Sequence, residues 1–356
     1  MGLNKRLIDQ AGGAASIDAT EHFTPLKFTG TGASNSITGV GFQPDLMILK
    51  SRSFGDNWYV QDSIRGASNR MYFNSTDTEF SSDTNRVTSF DSDGFTLGSD
   101  NSTNQSGQTF ITYSFKGGGA STTDSSKDIT AEVSANQESG FSIITYTGAT
   151  NSTTDSSNNG GSYWTLPHGL SEAPELIIIK TRSGQTNPWI VGSSVGSMSF
   201  SAGDEMRLNT NSAKGTQGNV LFGGYNPTST EFKVGGWDTV NRNGYTYVAY
   251  CFHSVDGYQK IGTYTGGGNT DISVTTDFQP RFLMMKATGV TEDWVILDAA
   301  RDTSDPRNTY MFTNLQNAEF SSTAFNVDFD TNGFTITGNA VQINQNGQEY
   351  LYWAIA

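Results

Sequence analysis

The sequence predicts an all-β protein built as three tandem antiparallel β-sandwich modules behind a short N-terminal arm. Three observations predict it. The composition is that of strands and turns: aromatics make up 12% of the 356 residues, charged residues only 16%, and there are 40 glycines among abundant Ser, Thr and Asn. Short motifs recur three times in one order. Each recurrence closes on a strand with alternating apolar positions.

The repeat is carried by residue spacing. An aromatic opening appears as Lys27-Phe28-Thr29-Gly30, Thr145-Tyr146-Thr147-Gly148 and Thr263-Tyr264-Thr265-Gly266. Pro44, Pro174 and Pro280 then lead apolar runs, and Lys50, Lys180 and Lys286 each follow six residues after the proline. Trp58, Trp189 and Trp294 come next, 14, 15 and 14 residues after the proline. The apolar runs do not alternate, so each should be a central strand covered on both faces. The closing strands Phe110–Phe115, Tyr247–Phe252 and Tyr350–Ile355 carry Ile111, Tyr113, Phe115; Val248, Tyr250, Phe252; and Leu351, Trp353, Ile355 on one face. Asp93-Gly94 and Asn332-Gly333 are read as hairpin turns with positive φ; the second copy has Thr230-Glu231-Phe232 there, so its turn must differ. The boundaries expected are an arm over 1–20, modules over 21–118, 137–256 and 257–356, and a flexible linker over 119–136. A short helix is expected over Asn4–Gln10.

Charge and cysteine content narrow the function. A net charge of −14 would repel a phosphate backbone, so nucleic acid is not an expected partner. Lys5 and Arg6 are followed by no apolar core of a secretory signal, and no apolar run is long enough to span a membrane, so insertion is not expected. Cys251, the one cysteine, excludes an intrachain disulfide and falls at a small-residue position shared with Ser114 and Ala354.

Two constellations are candidate sites. Trp58, Asp62 and Arg65 recur as Trp294, Asp298 and Arg301 with the same offsets, whereas Trp189 is followed by Ser193 and Gly196. An aromatic face beside a carboxylate and a guanidinium could bind a glycan, but the favoured reading is a core anchor with a structural ion pair, because Trp in a sandwich is usually core. Asp298, Asp302 and Asp305 could suggest calcium, but the interleaved Arg301 and Arg307 favour a charged loop. His22, His168 and His253 do not recur, and no nucleophile–base pattern or zinc spacing is present, so no catalytic residue, metal or cofactor is expected.

The stretch Tyr247-Val248-Ala249-Tyr250-Cys251-Phe252-His253-Ser254-Val255-Asp256-Gly257-Tyr258-Gln259-Lys260 resembles a repeated domain of unknown function found in virion proteins of marine tailed phages. So do Gly41-Phe42-Gln43-Pro44, Phe90-Asp91-Ser92-Asp93-Gly94-Phe95 and the opening Leu3-Asn4-Lys5-Arg6-Leu7-Ile8-Asp9. The resemblance implies a structural virion protein, made in the host cytoplasm and displayed as a tail-fibre-like appendage or head decoration. It brings no catalytic residues. The expected partners are other virion proteins and further copies of the chain, with a trimer preferred. Leu3, Lys5, Arg6, Leu7 and Ile8 are expected to anchor it. The alternatives are a host-glycan-binding module and, behind it, a polysaccharide hydrolase, which would need a pair of carboxyls at defined separation.

Overall fold

The computed structural model describes residues 17–149 and 163–356. The expected anchoring residues Leu3, Lys5, Arg6, Leu7 and Ile8, and the helix expected over Asn4–Gln10, lie outside them. The fold is all-β, made of several antiparallel sheets. Among the described residues the helices are single turns, such as Asn101–Asn104 and Val341–Asn344, and none is long and apolar enough to cross a membrane.

Three large sheets share one plan. In each, a closing strand lies between an opening strand and the proline-led strand. In the first sheet Thr109–Phe115 lies between Phe23–Thr29 and Leu46–Ser51. In the second, Thr246–Phe252 lies between Phe141–Thr147 and Leu176–Thr181. In the third, Glu349–Ile355 lies between Gln259–Thr265 and Phe282–Ala287. The registers correspond: Phe115 faces Phe23 and Leu46, Phe252 faces Phe141 and Leu176, and Ile355 faces Gln259 and Phe282. Beyond the proline-led strand come Tyr59–Asp62, Ile190–Ser193 and Val295–Asp298.

Both faces of these sheets are buried, which explains why the proline-led runs are uniformly apolar. Leu46 and Ile48, Leu176 and Ile178, and Phe282 and Met284 all enter one common core. Their neighbours Met47 and Leu49, Ile177 and Ile179, and Leu283 and Met285 enter three separate outer cores. The closing strands divide the same way. Ile111, Tyr113, Phe115, Val248, Tyr250, Phe252, Leu351, Trp353 and Ile355 face the common core, while Cys251 and Ala354 face outer ones. In the common core the Trp353 ring lies 4.4 Å from Phe252 and 5.5 Å from Phe115 between centroids.

Smaller sheets cover the outer cores. Asn35–Thr38, Gly94–Leu97 and Val87–Asp91 cover the first, and Ile272–Thr275, Gly333–Ile336 and Val327–Asp330 the third. Among the described residues only Trp164–Leu166 and Phe232–Val234 pair over the second; the turn Asn219–Phe222 packs beside Phe232–Val234.

Two expectations need correction. Residues 119–136 are not an open linker: Thr122–Asp124 and Ala131–Asn136 extend the second sheet beyond Phe141–Thr147. Val133 and Ala131 are buried in the outer core, and their alternation, hidden by the polar composition around them, makes the segment a strand. The two Gly-containing hairpins form with positive φ at the glycine as expected, +153° at Gly94 and +157° at Gly333, but the glycine stands outside the loop. Their loops are Ser92–Asp93 and Thr331–Asn332, and Gly94 and Gly333 open the following strands. Glycine is required there because a Cβ would sit 2.0 Å from the carbonyl oxygen of Ile37 or Val274 on the next strand. Gly94→Ala and Gly333→Ala should therefore each cost on the order of 1–3 kcal/mol, read as a lowered midpoint in urea denaturation. Gly107→Ala, whose Cβ would meet nothing within 4 Å but whose φ is +76°, should cost less.

Candidate functional site

The three tryptophans sit at corresponding places, each just before a strand, and each main-chain N–H is held by an asparagine side chain. Trp58 donates to Asn74 Oδ1 at 2.9 Å, Trp189 to Asn209 Oδ1 at 3.0 Å and Trp294 to Asn314 Oδ1 at 3.0 Å. Their rings are fully buried. A buried indole N–H needs an acceptor, and each finds it beyond its own sheet. Trp58 Nε1 donates to the carbonyl of Phe312 at 3.0 Å, Trp189 Nε1 to Tyr72 at 2.8 Å and Trp294 Nε1 to Arg207 at 3.0 Å. The first sheet thus reaches the third, the second reaches the first, and the third reaches the second. The contacts close a ring with three seams.

Asp62, Arg65, Asp298 and Arg301 lie in these seams. Arg65 donates through Nε to Asp62 Oδ2 at 2.5 Å and through Nη2 to the carbonyl of Val60 at 3.2 Å. Arg301 does the same to Asp298 at 2.5 Å and Ile296 at 3.0 Å. Each carboxylate also accepts a phenol from another sheet, Tyr250 to Asp62 and Tyr113 to Asp298, both at 2.7 Å. Burial pushes both phenol pKa values well above the usual 10. Burial opposes the charge of Arg65, but Asp62, Tyr250 and Glu79 outweigh it and its pKa is raised. The glycan platform is thereby corrected: Trp58, Asp62, Arg65, Trp294, Asp298 and Arg301 are all buried, and no ring face among them is open to a sugar. The third seam explains why the second sheet departs from the pattern. The position of Tyr113 and Tyr250 is Trp353 there, with no hydroxyl for a carboxylate, and its Nε1 donates to Gln259 Oε1 at 2.8 Å. The position of the aspartates is Ser193, which satisfies itself on the carbonyl of Glu175 at 2.7 Å.

The recurrent lysines tie the same seams. Lys50 Nζ donates to the carbonyl of Gln316 at 3.2 Å, Lys180 Nζ to Thr76 at 2.9 Å and Lys286 Nζ to Asn211 at 3.4 Å. Burial lowers their pKa values to about 8, about 7 and about 8, against the opposing pull of Asp56, Asp77 and the Glu292–Asp293 pair. A further set escaped the sequence reading. Asn104, Asn241 and Asn344 are buried and donate to the carbonyls of Gly98 at 2.7 Å, Gly235 at 3.0 Å and Gly338 at 2.8 Å. They also accept main-chain N–H groups from Thr31, Ala149 and Gly267. The signal was present: each lies six residues after that glycine and six before Phe110, Tyr247 or Tyr350.

The aspartates weighed as calcium ligands are also engaged. Asp302 accepts the N–H groups of Asn308 and Thr309, and Asp305 pairs with Arg307. Among the described residues no group of His, Cys, Asp or Glu is arranged to hold a metal ion. Burial pushes the Cys251 thiol far above its usual pKa, away from the reactive thiolate. An open cleft of about 830 Å³ brings His22, Asp45, Lys116 and Glu138 together. Asp45 is held there by Ser63 at 2.7 Å and by the N–H of Gly117 at 2.8 Å, and His22 lies 3.0 Å from Asn136. These groups fasten the segment over 117–138 to the first sheet.

The chain belongs to the family described as Domain of unknown function (DUF7483), whose model matches residues 18–356. No curated protein matches it.

Tyr250→Phe should leave the Asp62–Arg65 pair short of one donor and cost about 1–3 kcal/mol in a urea melt. Trp294→Ala should cost about 3–5 kcal/mol. The lysines make stability depend on pH. Their folded pKa values lie below the unfolded 10.5, so the unfolded chain binds more protons from about pH 7 upward. Stability should therefore rise from about pH 7 towards pH 10.5, and Lys180→Met should flatten that rise in melts recorded across the range.

Proposed function

We propose that this member of the DUF7483 family is three diverged copies of one β-sandwich module closed into a ring, and that it is a non-catalytic structural protein of a tailed-phage virion. It is displayed on the particle surface as a fibre-like appendage or head decoration. The observation that carries this reading is the ring of seams. An interface between unlike surfaces either propagates or closes, and closure after three steps is what threefold rotation gives. The tryptophans and the lysines each bridge all three seams with matching atoms.

Such a ring suits assembly better than catalysis. The recurrent charged side chains are spent on holding strands together, and the nucleophile–base–orienter arrangement of a covalent catalyst is not assembled around Cys251 or in the cleft beside His22. One chain already supplies three equivalents, so the ring itself, set against other virion proteins, is the assembling unit. The test is immunogold labelling of purified particles with antibody raised against the chain. Gold at a fixed position on intact particles is expected. Label confined to the soluble part of the lysate overturns the virion reading. Release of reducing ends from host-surface polysaccharide by the pure protein overturns the non-catalytic one.

A further inference from the structure

The three small outer sheets provide an internal comparison. Over the first outer core Ser36 faces Thr96, and over the third Ser273 faces Thr335. These hydroxyls point away from the core, and Thr96 and Thr335 are each held by an aspartate of the third strand, Asp91 at 2.7 Å and Asp330 at 2.8 Å. Over the second outer core the corresponding pair is Thr165 facing Lys233. Among the described residues that small sheet has two strands, and the turn Asn219–Phe222 packs beside Phe232–Val234. This face carries aromatic rings instead.

Tyr163 and Tyr225 pack edge to face, with centroids 4.9 Å apart and planes at 65°. Lys233 Nζ lies 4.3 Å from the centroid of the first and 3.7 Å from that of the second. Tyr163 is 38% exposed and Tyr225 48%, among the most exposed large side chains in the described residues. The ammonium forms no ion pair among those residues. Of its nearby carboxylates, Glu231 pairs with Lys127 at 2.8 Å, and Asp128, which also feels the charge of Lys233, accepts from Thr165 at 2.9 and 2.8 Å. An ammonium over aromatic faces keeps its outward N–H bonds for a solvent-side acceptor.

We propose that Tyr163, Tyr225 and Lys233 form a binding site for an acidic polysaccharide of the uronic-acid class. A tyrosine ring offers a flat apolar face to the C–H face of a pyranose, its hydroxyl offers hydrogen bonds, and the lysine pairs with the sugar carboxylate. The sheet beneath holds the strands rigidly, because Trp164, Leu166, Phe232 and Val234 on its other face pack into the outer core. The other two outer sheets carry a threonine where Lys233 stands, Thr96 and Thr335, so the scaffold does not require the lysine. The site is independent of the virion reading: failure to find the chain on particles leaves it standing.

The test is calorimetric titration of the full chain with sodium alginate, with dextran as the neutral control. Wild type should bind alginate, more weakly as NaCl is raised, and should bind dextran at least about tenfold more weakly. Tyr225→Ala and Lys233→Gln should each weaken alginate binding by about tenfold, whereas Lys233→Arg should retain it. Circular dichroism and thermal melts of the variants should match wild type, because these side chains stand on the solvent face. No alginate binding by wild type overturns the proposal. So does equal binding of dextran, or wild-type affinity in Tyr225→Ala and Lys233→Gln.

Discussion

A polar group sealed into a dry interior must be satisfied there, and in this fold the constraint falls hardest on three indoles. Trp58, Trp189 and Trp294 anchor the turn into a strand, so their position is set by their own sheets. Their N–H groups point out of those sheets and end on a carbonyl of the next. Once that is so, the large sheets are interdependent. Each closes the inner face of its neighbour, and each must be apolar on both sides. That requirement drives the buried lysines, the phenol–carboxylate contacts and the unbroken apolar runs after Pro44, Pro174 and Pro280.

The seam chemistry also shows how a buried ionic group is kept or lost as a unit. Where a phenol arrives, as with Tyr250 and Tyr113, it donates to the carboxylate of an aspartate–arginine pair. Where Trp353 arrives there is no phenol, and both charged residues are gone. A buried pair with one lone pair unmet is costly, while a smaller neutral side chain bonded to its own backbone is not. The asymmetry of the third seam is thus consistent chemistry rather than decay.

Much of this was readable in the chain and some of it was not. The alternation in Phe110–Phe115 and its counterparts named the inward face correctly, because period-two patterning reports burial directly. The spacing of proline, lysine and tryptophan named residues that occupy matching places. It could not say what they touch, since their partners lie far away along the chain. The Trp–Asp–Arg set was for that reason open between platform and core. The segment over 119–136 was misread because Ser, Thr and Asp outnumber its buried Ile129, Ala131 and Val133. Tyr163, Tyr225 and Lys233 were invisible as a group: they are scattered over 71 positions and meet only in the folded chain.

The ring has one contact that differs in kind from the others when the chain is considered in time. Two seams join segments that follow one another, but the seam between the first and third sheets joins Trp58 to Phe312, 254 residues apart. A ribosome delivers the first sheet well before the strands that cover its inner face exist. Until then Leu46, Ile48, Ile111 and Tyr113 present an apolar wall with nothing against it, and loop closure over that distance must precede the reward of burial. The strand Glu349–Ile355, whose Trp353 and Ile355 complete the common core, is made after the strands of the other two large sheets. A nascent chain that has not yet reached this strand carries an apolar inner face instead of a seam.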